Sequence, residues 1–352
     1  MIILLSPGVS PETRASIEGV VRRAGGDPKR LRAASADGRE AIAAQGADGA
    51  SLRALLDGAS GVESILGADV AYPKVAKLDA ASPPTAVFVG SAARPVAFGP
   101  GAPVLIAGPC AVESAELLEQ TATAVARAGA RVLRGGAYKP RTSPYSFQGL
   151  GEGGLRLLRE VADRHALAVV TEVLEPAAVA PVSEHADMLQ VGSRNMQNFA
   201  LLKAIGRQRR PVLLKRGMSA TLEEWLLAAE YIADAGNAQI VLCERGLRHF
   251  DAAARNLLDL SAVPLLRERT RLPIVVDPSH GVGVRSAVAP MALAAVAAGA
   301  DGVILECHPD PGIAKSDGYQ ALTPDELHAL AGDLERLGAV VRELRTTRRR
   351  DG

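Results

Sequence analysis

The chain has 352 residues, 48% of them hydrophobic and 22% charged, enough apolar material for a large buried core. Its 40 basic and 39 acidic residues leave a net charge of +1, and aromatic residues make up 3%. This composition excludes a nucleic-acid binder, which needs a basic surplus and aromatic stacking platforms. The three cysteines, Cys110, Cys243 and Cys307, cannot all pair, and no two lie at CxxC spacing. With no signal-like N-terminus, and no uncharged apolar run near the roughly 18 residues of a membrane span, a reducing cytoplasmic setting without membrane association is expected.

Residues 1–75 carry a strand at Ile2–Leu5, a helix near Glu12–Ala24, a weak strand region near Leu31–Ala44, a helix near Ala50–Leu56 and a strand at Val62–Leu66. The order β-α-β-β-α-β predicts a small α+β, ferredoxin-like (ACT-like) domain. Its middle strands are poor, because ADGREAIAAQGADG has little β-branched content. Residues 76–102, with Pro83–Pro84, Pro95 and Pro100–Gly101, read as a linker with room for a hairpin built on Val87–Val89.

From residue 103 to 346 the pattern changes. Eight short apolar runs follow: Val104–Ala107, Arg131–Leu133, Ala168–Val170, Met188–Val191, Val212–Leu214, Ile240–Leu242, Ile274–Val276 and Val303–Leu305. Each is continuous rather than alternating, as expected of parallel strands buried on both faces. Helical segments such as Glu113–Ala128, Gly153–His165, Leu222–Ala235, Ala287–Ala298 and Pro324–Leu344 separate or follow them. Eight such repeats have the size of a (β/α)8 barrel. A doubly wound open sheet also accommodates eight strands, but no GxGxxG follows the first run. Residues 347–352 form a basic tail, read as a solvated helix end.

Barrel enzymes place their chemistry at the C-terminal ends of the strands. Here those ends carry Gly108–Cys110, Arg134–Ser143, Thr171–Glu172, Gly192–Asn195, Lys215–Gly217, Cys243–Gly246, Asp277–His280 and Glu306–His308. A structural protein has no reason to deliver polar groups at one end eight times, so the pattern points to an enzyme. Arg134, Lys139, Arg141, Arg194, Lys215, Arg216 and Arg245 put seven cations around that rim, which suits a highly anionic substrate. Cys110, His280, Glu306 and Asp317 offer one sulfur, one nitrogen and two carboxylates from strands 1, 7 and 8 and the loop after strand 8. This set accepts several divalent transition ions. For Cys110 alone, a buried free thiol is the competing reading.

The stretches IAGPCAVES, VLRGGAYKPRTSPYSFQGLG, VGSRNMQN, PVLLKRG, LCERG, VVDPSHG and ECHPDP…SDG resemble the 3-deoxy-D-arabino-heptulosonate 7-phosphate (DAHP) synthase family, of the type I-beta kind with an N-terminal ferredoxin-like regulatory domain. The resemblance implies a transferase that condenses phosphoenolpyruvate (PEP) with D-erythrose 4-phosphate and releases phosphate, the entry step of the shikimate pathway. It implies a divalent metal, Mn2+ first among Mn2+, Zn2+, Fe2+, Co2+ and Cu2+, on Cys110, His280, Glu306 and Asp317. It further implies PEP contacts from Arg134, Lys139, Arg194, Lys215 and Arg245, and an aldose-phosphate site at Arg141, Thr142 and Ser143. Lys139 is the candidate proton donor, since an ammonium acts as an acid where a guanidinium does not. Glu172 is the candidate for orienting the attacking water. A homotetramer and a tyrosine or phenylalanine effector are also implied. The rival readings are 3-deoxy-D-manno-octulosonate 8-phosphate synthase, which usually has KANRTS where this chain has KPRTS, a sialic-acid-type synthase, which has different flanking motifs, and a non-catalytic amino-acid-sensing relative.

Overall fold

The computed structural model describes residues 1–32, 40–56, 58–66, 71–77, 83–140 and 143–350. Two compact units are present: Met1–Thr85 with Glu268–Arg271, and Ala86–Arg267 with Leu272–Gly352. Among the described residues no helix is long and apolar enough to cross a membrane.

In the first unit the chain runs β1 (Ile2–Leu5), α1 (Pro11–Arg23), β2 (Asp27–Arg32), β3 (Glu40–Gln45), α2 (Gly49–Leu56) and β4 (Val62–Leu66). Ser10 caps α1 by accepting the Thr13 N–H, with Pro11 preset for the first turn. The strands form an antiparallel sheet in the order β2-β3-β1-β4, the ferredoxin-like arrangement. Alternation in β1 and β3 sends Ile3, Leu5, Ile42 and Ala44 onto Ile17 and Val21 of α1 and Leu52 and Leu56 of α2. The opposite face is apolar as well, with Ile2, Leu4, Leu31, Ala41 and Ala43 buried. The first of the two middle strands begins at Asp27, earlier than its composition suggests. Pro28 is tolerated because β2 is an edge strand, paired only with β3.

The second unit opens with an antiparallel hairpin, β5 (Val87–Val89) and β6 (Val96–Phe98). The barrel strands follow: β7 (Val104–Gly108), β8 (Val132–Arg134), β9 (Ala168–Val173), β10 (Met188–Val191), β11 (Val212–Lys215), β12 (Ile240–Glu244), β13 (Ile274–Val276) and β14 (Gly302–Glu306). All are parallel, and β14 pairs with β7 to close the ring. All eight predicted strands are therefore present, and the closed sheet excludes the open doubly wound alternative. Between and after them run α3 (Ala115–Arg127), α4 (Gly151–Arg164), α5 (Val179–His185), α6 (Phe199–Gly206), α7 (Leu222–Asp234), α8 (Ala262–Arg269), α9 (Pro278–Val282), α10 (Arg285–Ala298) and α11 (Pro324–Arg350). The last helix continues past Leu344 through the basic run to Arg350, so that run is helical.

Ile106, Val132, Met188, Leu213, Val241, Val275 and Ile304 fill the barrel interior. Val87, Val89, Val96 and Phe98 of the hairpin join the same core, so the segment read as a linker supplies part of the barrel's packing. Phe98 is fully buried, which removes an aromatic-sized area from water and contributes roughly 1.5–3 kcal/mol. The apolar strand bodies and hairpin leave the C-terminal strand ends as the place where polar groups gather.

Candidate active site

The strand ends set the positions of the polar residues. Cys110 follows β7, Arg134 is the last residue of β8, and Lys139 lies in the loop beyond it. Glu172 belongs to β9, Arg194 follows β10, Lys215 ends β11, Arg245 follows β12 and Glu306 ends β14. His280 arrives by a sharp strand-to-helix turn. Asp277 caps α9 by accepting the His280 N–H at 2.9 Å, and Pro278 starts the helix. Asp317 precedes the short turn Gly318–Gln320 and has φ +53°, a left-handed conformation that a non-glycine residue adopts at a cost of about 1–2 kcal/mol.

That strain coincides with a cluster. One ligand atom from each of Cys110, His280, Glu306 and Asp317 lies within 4.8 Å of every other. His280 Nε2 is 3.2 Å from Glu306 Oε1 and 3.8 Å from Asp317 Oδ2, which is itself 3.4 Å from Cys110 Sγ. The chemistry of the set fits a divalent transition ion. Burial lowers the pKa of the His280 imidazole, against the pull of Asp277 and Glu306. Its Nδ1 is engaged by Asp277 Oδ2 at 2.8 Å, which turns Nε2 toward the other ligands. Burial works to raise both ligand carboxyls, but the His280 side chain and nearby cations outweigh it. Glu306 is held below its usual range, and Asp317 falls to about 2. Burial pushes the Cys110 thiol up to about 12, against the pull of Lys139 and Arg134. A dication held among these groups would supply the charge that turns this thiol into a thiolate ligand.

A cavity of about 330 Å³ adjoins the cluster. Arg134, Lys139, Ser143, Glu172, Arg194, Lys215 and Arg245 line it, with His280 and Asp317 in its wall. Cys110 and Glu306 are buried beside it. Arg141 and Thr142 lie outside the described residues. Lys139 Nζ donates to the Cys110 carbonyl at 2.9 Å and sits 3.0 Å from its Sγ. Arg134 Nη1 donates to Glu306 Oε1 at 2.8 Å, and the Lys215 ammonium is paired with Asp277. Gly192 leaves room for the Glu172 carboxylate where it lies: a Cβ there would be 1.9 Å from Glu172 Oε1 and would displace it.

One expected rim cation does not belong to the cavity. Arg216 donates to Glu244 and Asp259 at 2.9 Å each and packs over the Trp225 ring. Neighbouring residues at a strand end face opposite sides, so Lys215 turns inward and Arg216 does not. Arg255, from the loop between β12 and α8, lines the cavity instead. No strand end points to it. Asp277 was within reach of sequence reasoning, because it adjoins the Pro278–His280 turn.

The model of the DAHP synthetase I family matches residues 81–343. The chain belongs to the DAHP synthetase I family. Within it, the chain is similar to the phospho-2-dehydro-3-deoxyheptonate aldolase of Thermotoga maritima, 54% identical over 242 residues, or 69% of this chain and 72% of that protein. It is 35% identical over 257 residues to the 2-dehydro-3-deoxyphosphooctonate aldolase of Alkalilimnicola ehrlichii, covering 68% of this chain and 91% of that one. The crystal structure of Thermotoga maritima DAHP synthase matches with a TM-score of 0.75 and 42% identity, over 97% of this chain and 98% of that one. A truncated form of the Thermotoga enzyme matches at a TM-score of 0.71 and 45% identity, over 77% and 98%.

Proposed function

We propose that the cavity is the active site of a DAHP synthase, a transferase that condenses PEP with D-erythrose 4-phosphate and water to give DAHP and phosphate. The observation that carries the reading is a complete four-donor ligand set beside a cavity lined by cations, in a chain of this family.

Bringing two phosphorylated anions together is the first obstacle. Two unit charges 4 Å apart repel by about 4 kcal/mol at an effective dielectric of 20, so each anion needs cations of its own. Arg134, Lys139, Arg194, Lys215 and Arg245 hold the carboxylate and phosphate of PEP. Ser143, with Arg141 and Thr142, holds the phosphate of the aldose. Cys110, His280, Glu306 and Asp317 hold the divalent ion, Mn2+ first, with Zn2+, Fe2+, Co2+ and Cu2+ as alternatives. The bound ion supplies a Lewis acid for the aldehyde oxygen. Lys139 donates its proton to the alkoxide formed when carbon 3 of PEP attacks the aldehyde carbon. Glu172 orients the water that adds at carbon 2, after which phosphate leaves by C–O cleavage.

The octulosonate reading is the weaker one, given 35% identity to such an enzyme against 54% to the heptonate enzyme. A non-catalytic relative would have no need of the complete ligand set. Phosphate release from PEP, compared with erythrose 4-phosphate and with arabinose 5-phosphate, separates the readings. Turnover only with erythrose 4-phosphate is expected, and turnover only with arabinose 5-phosphate would reverse the assignment.

We assign residues 1–75 as an ACT-like regulatory domain that takes tyrosine or phenylalanine, in a cytoplasmic homotetramer. Titrating each amino acid into the assay, beside a chain beginning at Ala86, tests the regulatory assignment. Inhibition in the full chain and its loss in the shortened one are expected.

A further inference from the structure

Arg255 sits at no strand end, yet it reaches two of the four ligands. Its Nη1 lies 3.4 Å from Asp317 Oδ1 and donates to Gln320 Oε1 at 3.0 Å. Gln320 is fully buried and donates its Nε2 to Glu306 Oε2 at 2.6 Å. The amide is oriented by its neighbours: its carbonyl faces a guanidinium, so its NH2 faces a carboxylate.

Each carboxylate is thereby divided. Asp317 Oδ1 is occupied by Arg255 and by the Tyr319 hydroxyl at 3.3 Å, whereas Oδ2 faces Cys110 and His280. Glu306 Oε2 is occupied by Gln320, whereas Oε1 faces His280 Nε2 at 3.2 Å and also accepts from Arg134 Nη1 at 2.8 Å. The loop is seated for this task. The Arg255 N–H donates to Val282 O at 2.8 Å, and Asn256 Nδ2 donates to His280 O at 2.9 Å. A Cβ on Gly283 would lie 2.4 Å from Arg255 Cβ, so the backbone after α9 is bare where the arginine passes.

We propose that Arg255 and Gln320 are positioning residues of the metal centre: they fix the outer oxygens of Asp317 and Glu306 so that each carboxylate offers one oxygen to the ion. The proposal rests on the reading of Cys110, His280, Glu306 and Asp317 as the ligand set.

Electrostatics and positioning predict opposite signs here. A cation beside the site repels a dication, so charge alone makes removal of Arg255 tighten metal binding. Loss of an outer partner that orients the ligands loosens it, by roughly 10- to 100-fold. The test titrates metal-free full-length protein with Co2+ alone, read by calorimetry and by the thiolate-to-cobalt absorption band. The parent binds Co2+ with that band. Arg255→Met and Gln320→Leu each weaken binding roughly 10- to 100-fold. The double variant is no weaker than the weaker single one, because both act through one relay. Arg255→Gln, which keeps hydrogen-bonding ends without the charge, loses less than Arg255→Met. Circular dichroism confirms that each variant is folded. Unchanged or tighter Co2+ binding in folded Arg255→Met and Gln320→Leu would overturn the proposal. A parent that binds no Co2+ would overturn the ligand assignment, and this proposal with it.

Discussion

The Lys139 ammonium lies 3.0 Å from Cys110 Sγ and 2.9 Å from the Cys110 carbonyl oxygen, which places a cation against the four-residue cluster and in the wall of the cavity. Replacing it tests the acid role. Lys139→Met is expected to lower kcat by about 10²–10⁴-fold, the usual reach of general acid catalysis. Lys139→Arg keeps the charge, but a guanidinium does not serve as an acid, so it should restore PEP binding without restoring kcat. Steady-state kinetics at saturating substrates decide this; near-parental kcat in Lys139→Met would remove Lys139 from the chemistry.

Glu172 and Gly192 form a second testable pair. Because a methyl group at 192 would overlap Glu172 Oε1, Gly192→Ala must move the carboxylate. Its activity is expected to fall to the level of Glu172→Gln, and combining the two changes should add little. The crowded atom is the end of a flexible side chain, so stability should change little, and thermal unfolding is followed alongside the kinetics to confirm it. Full activity in a folded Gly192→Ala would mean that the position of the Glu172 carboxylate does not matter.

Away from the active site, Ala166 has φ +54°, where α4 ends and the Leu167 N–H donates to Ala162 O. Glycine is the usual residue at such a helix end. Ala166→Gly is expected to stabilise the protein by up to about 1 kcal/mol, as relief of strain outweighs the added freedom of the unfolded chain. Denaturant unfolding measures the difference, and a loss of stability would contradict the strain argument.

The first unit has its own acid-sensitive contact. Glu18 on α1 pairs with Arg30 on β2 at 2.5 Å, and this hydrogen bond holds the Glu18 carboxyl below its usual value of 4.5. A carboxyl lowered by folding adds stability above its unfolded pKa and loses it as the pH falls through the folded value. The pair should therefore weaken from about pH 4.5 downward. Arg30→Met should flatten the pH dependence of unfolding as the pH falls through that window. An unaltered profile would show that the contact adds nothing.

Much of this architecture was legible in the sequence because parallel strands buried on both faces leave continuous apolar runs, and each run ends where its side chains reach the rim. Cys110, His280, Glu306 and Asp317 are brought together by closure of β14 onto β7, a contact that strand order in a barrel already implies. Arg255 and Gln320 were not legible, since their loops follow no period and the arginine's partners, Asp317 and Gln320, lie in a different loop, the one after β14. Arg216 was misplaced because a run of cations does not reveal which of two neighbours faces inward; the pairing with Glu244 and Asp259 does. The start of β2 was missed because Asp27 and Pro28 oppose strand formation locally and are accepted only at a sheet edge.

The central claim is that the four-residue cluster holds an ion required for condensation at the adjoining cavity. The most direct measurement is phosphate release from PEP and erythrose 4-phosphate by protein stripped with a chelator, before and after Mn2+ is restored. The account predicts no release without metal, recovery with Mn2+, and no recovery in Cys110→Ala or His280→Ala. Sustained release by the stripped protein would contradict it.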